Sequence, residues 1–180
     1  MSIQKLPLLL AALTLSGAFA TITVDAEARE RTRSRTAGNV DGVRSAAVNA
    51  SGSGTNGSYA RGRQWQADGQ GNASGSSGGT VDGVNGGSAS RQGGFYRNAD
   101  GSAGRQGSAS VNGANGGSAS TSGGVTRDAN GNVVGGRSTT ATGQNGNSYD
   151  GSTTVSDGTV THTGTCTNAA GEEIACRGGD

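Results

Sequence analysis

Apolar side chains are dense in only one place along this chain, the stretch from Leu6 to Leu15; beyond Ala20 they thin out to isolated Val, Phe and Tyr. Those isolated residues sit in short alternating runs. Gly94-Phe95-Tyr96-Arg97-Asn98 precedes Asp100-Gly101, while Gly124-Val125-Thr126-Arg127-Asp128 precedes Asn130-Gly131 and Asn132-Val133-Val134 follows it. Phe, Tyr, Val and Thr suit a pleated surface, and runs such as Ser108-Ala109-Ser110-Val111 continue the alternation with smaller residues. No apolar period of 3.6 is present, and glycine costs a helix about 1 kcal/mol per residue. The best helical candidate, Val43 to Val48, is too short to stand alone. The pattern predicts short strands joined by tight turns, with no helix beyond the leader.

The turns recur. Gly-x-Asn-Gly begins at Gly54, Gly83, Gly113 and Gly143, in steps of 29, 30 and 30 residues. A second marker keeps nearly the same phase, at Asp68-Gly69, Asp100-Gly101, Asn130-Gly131 and Asp157-Gly158. Residues 83–112 and 113–142 align without a gap at 13 of 30 positions. Two markers in phase over four copies define an array. Asn-Gly and Asp-Gly favour two-residue type I′ turns, which need positive φ at both central positions. Each unit is therefore expected to hold two to four short strands, in an all-β repeat array resembling a solenoid or a stack of hairpins.

Composition sets the array against disorder. All six leucines, the single proline, Lys5 and Met1 lie in the first 20 residues, and 35 of the 36 glycines lie after them. Without leucine there is little burial to offset chain entropy, so low stability is expected, and Gly/Ser/Asn richness is also what a disordered linker shows. The lack of proline, the zero net charge and the fixed period favour order. Repeat units that cannot bury their faces alone gain it by stacking on neighbours.

The first 20 residues read as a secretory signal, with Lys5, the Leu6–Leu15 stretch and a cleavage motif at Ala18-Phe19-Ala20; a second cut after Ala26 is also compatible. The apolar stretch is shorter than the ~18 residues of a membrane span. The expected destination is the periplasm, the cell surface or the extracellular space. Four segments follow: the signal (1–20), a flexible Arg-rich segment (21–53), the repeats (54–158) and a C-terminal cap (159–180). An exported chain with Cys166 and Cys176 is read as disulfide-bonded, closing a hairpin across the loop at Asn168 to Gly171.

After Ala20, 13 arginines balance 13 acids. That balance argues against nucleic acid as a partner, because backbone binding needs basic excess. The exception is local: Arg29, Arg31, Arg33 and Arg35 alternate and would share one face of an extended segment, as a candidate anionic contact. Tyr59, Trp65, Phe95, Tyr96 and Tyr149 are candidate surface contacts, the competing reading being that they form the array's only core.

Catalytic chemistry finds little support. His162 stands alone, no Gly-x-Ser-x-Gly elbow exists, and Glu172-Glu173 lie in the expected disulfide loop. Asp128 to Asn132 looks like the start of a calcium loop but lacks the distal Glu, so no metal and no cofactor is expected. Ser58 and Gln64, followed by Gly69-Gln70-Gly71-Asn72, resemble an interrupted curlin repeat, and Arg127 to Val133 is similar to the turn of YD repeats with Arg in place of Tyr. The function expected is a non-catalytic, exported structural or adhesive protein of the cell surface or matrix, with surface polysaccharide or self-association as its contacts. The alternatives are an amyloid-like fibre subunit and a disordered Gly-rich secreted protein.

Overall fold

The computed structural model describes residues 30–156 and 158–176; the expected leader and Arg29 lie outside them. Every regular element is a strand: β1 Glu30–Val40, β2 Val43–Gly54, β3 Gly57–Ala67, β4 Ala73–Gly83, β5 Ser88–Arg97, β6 Ala103–Asn112, β7 Ser118–Arg127, β8 Val133–Thr142, β9 Ser148–Ser156, β10 Thr159–Thr167 and β11 Glu173–Ile174. They form one antiparallel sheet in which each strand pairs with the next in sequence. Eleven strands spaced by about 4.8 Å give a sheet close to 50 Å wide. The chain is an all-β array of stacked hairpins. Each thirty-residue unit is two strands of about ten residues, longer and fewer than the alternation alone suggested. The segment 21–53 supplies β1 and most of β2, and the helical candidate Val43–Val48 lies within β2.

The turns differ from expectation in kind. Type I′ geometry needs positive φ at both central residues, and among the described non-glycine residues only Asp41 has it (φ 50°), with Gly42 beside it at 81°. In the Asn-Gly and Asp-Gly repeats the polar residue keeps negative φ and only the glycine is left-handed: Gly86, Gly101, Gly116, Gly131 and Gly146 have φ between 80° and 91°. The Gly131 amide donates to the Asp128 carbonyl at 3.1 Å, and the Asp128 amide donates to the Asn132 carbonyl at 3.0 Å. This is a type I turn closed by a left-handed glycine, the commonest three-residue hairpin connection. The turns that open on Gly83, Gly113 and Gly143 close with the same backbone hydrogen bonds, and where the turn opens on Asp or Asn the side chain adds to them. Asp128 Oδ1 accepts the amides of Asn130 and Asn132, both at 2.9 Å, which satisfies donors that a shorter turn would not present. Asp68 accepts the amides of Gln70 and Asn72, and Asn168 those of Ala170 and Glu172, in the same way.

No hydrophobic side chain among the described residues is buried. One layer has no second layer to pack against, so cohesion comes from the backbone ladder and from side chains lying across neighbouring strands. At the C-terminus the array ends in the expected hairpin. Cys166 and Cys176 are disulfide-bonded with Cα atoms 5.2 Å apart, and β11 pairs with β10 through Cys166–Ile174 and Thr167–Glu173.

Hydrogen bonding in the turns sets an acid limit. The Asn72 amide group lowers the pKa of Asp68, the Ser102 hydroxyl that of Asp100 and the Asn132 amide group that of Asp128. A carboxylate whose folded pKa is depressed contributes stability that is complete above its unfolded value, near 4, and lost as pH falls through the folded value. Amide exchange at residues 130 and 132 should therefore accelerate below about pH 4 relative to mid-strand amides. Asp128→Asn should abolish that dependence in its own turn only. Equal acceleration in the variant would contradict the assignment.

Candidate functional site

Side chains alternate along a strand, and directly paired residues point to the same side of the sheet. Following the register across all strands therefore sorts every position onto one of two faces. One row reads Arg33, Ala50, Arg61, Gly79, Arg91, Ala109, Thr121, Thr139, Gly151 and Gly164. Its neighbour on the opposite face reads Thr32, Ser51, Ala60, Thr80, Ser90, Ser110, Ser120, Thr140, Asp150 and Thr165.

The two faces are chemically opposite. Arg31, Arg33 and Arg35 on β1, Arg44 on β2 and Arg61 and Arg63 on β3 share the first face. So do Arg91 and Arg97 on β5, Arg105 on β6, Arg127 on β7 and Arg137 on β8. Every arginine of the described residues is there, exposed, with Ala, Val and Gly between them. The strand carboxylates Glu30, Asp82, Asp150 and Glu173 all fall on the second face. Hydroxyls and amides make up most of the rest of the second face, with Val40, Val43, Tyr96 and Val134 among them. Ser90 and Ser110 meet at 2.8 Å, Ser120 and Thr140 at 2.8 Å, and Ser122 and Ser138 at 3.2 Å. Strand β10 adds Thr159, Thr161, Thr163, Thr165 and Thr167 to it. A hollow of about 1090 Å³ over β1–β7 is lined mainly from this side, by residues such as Ser34, Gln64, Gln92 and Gln106.

The aromatic candidates divide unequally. Tyr59, Trp65, Phe95 and Tyr149 lie on the arginine face and Tyr96 on the hydroxyl face, so the adjacent pair Phe95 and Tyr96 point opposite ways. Neither role foreseen for them describes the geometry fully. Trp65, Phe95 and Tyr96 remain 44, 45 and 41% exposed, yet Phe95 and Tyr96 each lie against a cross-strand glycine. A Cβ on Gly75 would come within 2.5 Å of Phe95 Cε1, and one on Gly104 would fall into the ring of Tyr96. Tyr59 covers Gly52 in the same manner, and its hydroxyl accepts from Arg31 Nε at 3.1 Å. Glycine gives a strand no side chain to pack, and a ring laid over it restores contact while leaving the other side of the ring open. Gly104 and Gly151, under Tyr96 and Tyr149, are the only buried residues among those described.

Arg31, Arg33 and Arg35 do share one face, as their alternation implies, and they are the edge of a much larger cationic surface; Arg29 lies outside the described residues. The sequence signal for the rest was present but needed the register: each arginine looks isolated until its partner strands are known. His162, on the same face, hydrogen-bonds through Nδ1 to Thr153 Oγ1 at 2.8 Å and through Nε2 to the Tyr149 hydroxyl at 3.2 Å. Among the described residues no three His, Cys, Asp or Glu side chains cluster closely enough to hold a metal, and no helix is long and apolar enough to cross a membrane. Comparison of the chain with family models, with curated proteins and with solved structures found no match.

The ring-over-glycine contacts are measurable. Phe95→Ala should cost about 1 kcal/mol in denaturant unfolding, the scale of a cross-strand pair. The same change in a Gly75→Ala background should cost less by about 0.5 kcal/mol, because the added methyl already occupies the covered space. Additive losses would mean that Phe95 does not act through Gly75.

Proposed function

We propose that this chain is a non-catalytic, exported structural or adhesive protein that works at a cell surface or in an extracellular matrix. The observation that carries this reading is the single open layer with two chemically distinct faces. Repeating shallow contacts over a wide surface favour avidity over one tight pocket. The leader read from residues 1–20 and the Cys166–Cys176 bond both fit an oxidising compartment outside the cytoplasm. Labelling of intact, non-permeabilised cells with antibody to the repeats tests the location. Labelling only after permeabilisation would reject a surface role.

A second reading, the fibre subunit, draws on the outer strands. β1 and β10 stand at opposite margins of an even-numbered run, so β10 of one copy and β1 of the next would continue the antiparallel alternation. Such head-to-tail pairing does not close and gives filaments. Two devices oppose it: the arginines of β1, and β11 held against β10 by the disulfide. Reduction should loosen residues 159–180 and leave the β signal of the central strands nearly unchanged. A ring this short contributes only about 2–3 kcal/mol. It should also raise thioflavin-positive assembly, and Cys176→Ser should do the same without reductant. A reduced protein that stays monodisperse at high concentration would remove the capping role; one that loses all β signal at once would show the staple to be central.

A further inference from the structure

We propose that the arginine face is a docking surface for a linear acidic polysaccharide, a polymer of sugar rings bearing carboxylates. This deepens the surface-protein reading and rests on it only for where the polymer is met. The argument begins with charge. The chain as a whole is close to neutral, but the register gathers its strand arginines on one side and its strand carboxylates on the other. Near neutral pH the first face carries guanidinium groups and no carboxylate from any strand. Among the described residues Arg61, Arg63 and Arg91 have no hydrogen-bond or ion-pair partner, so their donors are open to a ligand. A guanidinium offers a planar fork that matches a carboxylate in two parallel hydrogen bonds.

Spacing narrows the choice among polyanions. No two arginines are directly opposite each other on adjacent strands. Arg33, Arg61 and Arg91 are separated by Ala50 and Gly79, and Arg35 and Arg63 by Val48. With strands about 4.8 Å apart, such charges repeat at roughly 9.6 Å across the sheet. That interval suits an extended polymer that turns a carboxylate to the same side at every second ring. It is far wider than the ~3.4 Å rise per phosphate along a duplex strand. The apolar groups of the face agree. In the row beside Arg63, Trp65 and Phe95 flank Gly75, and Phe95 lies over that glycine with its outer side open. An open ring next to a guanidinium row is a platform for the C–H side of a sugar ring. A lipid surface would instead call for a continuous apolar face that sinks into it, and here the rows that hold Arg61 and Arg63 part the Tyr59–Val81–Val111 row from the Trp65–Phe95 row.

Calorimetric titration of the disulfide-bonded protein with alginate, a uronic-acid polymer, tests the proposal. Dextran, a single-stranded oligodeoxynucleotide and phosphatidylglycerol vesicles serve as comparators. The expected result is binding to alginate in preference to all three, weakening steeply with salt as counterions compete. The triple variant Arg33→Gln, Arg61→Gln, Arg91→Gln should lose about tenfold or more in affinity and show a shallower salt slope. Arg→Lys at the same positions should recover the salt slope but not all the affinity, since lysine lacks the fork. Asp82→Asn with Asp150→Asn, on the opposite face, should change affinity less than about twofold. Should the triple Gln variant lose its β signal, the single Arg61→Gln and the triple Lys variant carry the comparison. Absence of alginate binding, equal loss from the two faces, or tighter binding to the oligonucleotide or the vesicles would overturn the proposal. These outcomes are separable from failure of the surface reading: alginate binding by a protein that cell labelling places inside would sink the location alone, and surface labelling without alginate binding would sink the docking surface alone.

Discussion

The number of residues in each turn decides what this sheet presents to its surroundings. From Ala67–Ala73 through Thr142–Ser148, five residues separate the last paired positions of each hairpin. An odd number preserves parity, so odd-numbered positions of β3 to β9 all lie on the arginine face. The β1–β2 and β2–β3 turns hold two residues between paired ends and invert parity, but they occur in succession and cancel. A one-residue slip sends a whole strand's side chains to the other face. Were the Asn-Gly and Asp-Gly turns of type I′, the arginines of successive strands would alternate between faces and the charge segregation would vanish. The left-handed glycine and the backbone hydrogen bonds that close each five-residue loop are thus what keeps the two faces distinct, with the Asx contacts of Asp68 and Asp128 supporting their own turns.

Cohesion without a core follows from the same local logic. Each strand contacts only its sequence neighbours, so stability grows unit by unit, as in other repeat architectures, and all pairing is local, which favours fast zippering of hairpins. On the arginine face the spacing that suits a ligand also limits repulsion. Like charges directly opposite one another destabilise a sheet, and here a small residue intervenes: a Cβ on Gly79 would sit 3.3 Å from that of Arg61. The small residue also lets the long side chain lie along the sheet with its charge in water. Alternation of large and small residues across strands is as much a requirement as alternation along them.

Turn positions were legible because Asn-Gly and Asp-Gly recur at thirty residues, and a turn every fifteen leaves strands of about ten. The disulfide was legible from the expected export of the chain and from the cysteine spacing. Turn type was not. The dipeptide alone fits either a two-residue turn or a type I turn with a left-handed glycine, and the carboxylate of Asp128 supports the longer loop only in its own turn, since the loops that open on Gly83, Gly113 and Gly143 form without one. Face assignment was lost with it. Phe95 and Tyr96 stand side by side in sequence as candidate contacts, yet adjacent residues of a strand point to opposite faces. Charge segregation was hidden for a related reason: a sum over the chain carries no information about which side of a sheet each charge occupies.

A layer one strand thick leaves function and stability to the same surfaces. In a protein with a core, a binding site is a small part of the exterior and its occupation changes little of the burial. Here the rings over Gly52, Gly75 and Gly104 are covered on one side only, and the exposed valines, such as Val81 and Val111, have no neighbour above them. Any partner that covers a face adds burial that the isolated chain lacks, and a partner that binds only the folded sheet stabilises it in proportion to its occupancy. Because each strand leans on the next, that stabilisation spreads outward from the strands in contact. The sheet is most ordered where it is engaged, which is the behaviour expected of a protein whose working part is its surface.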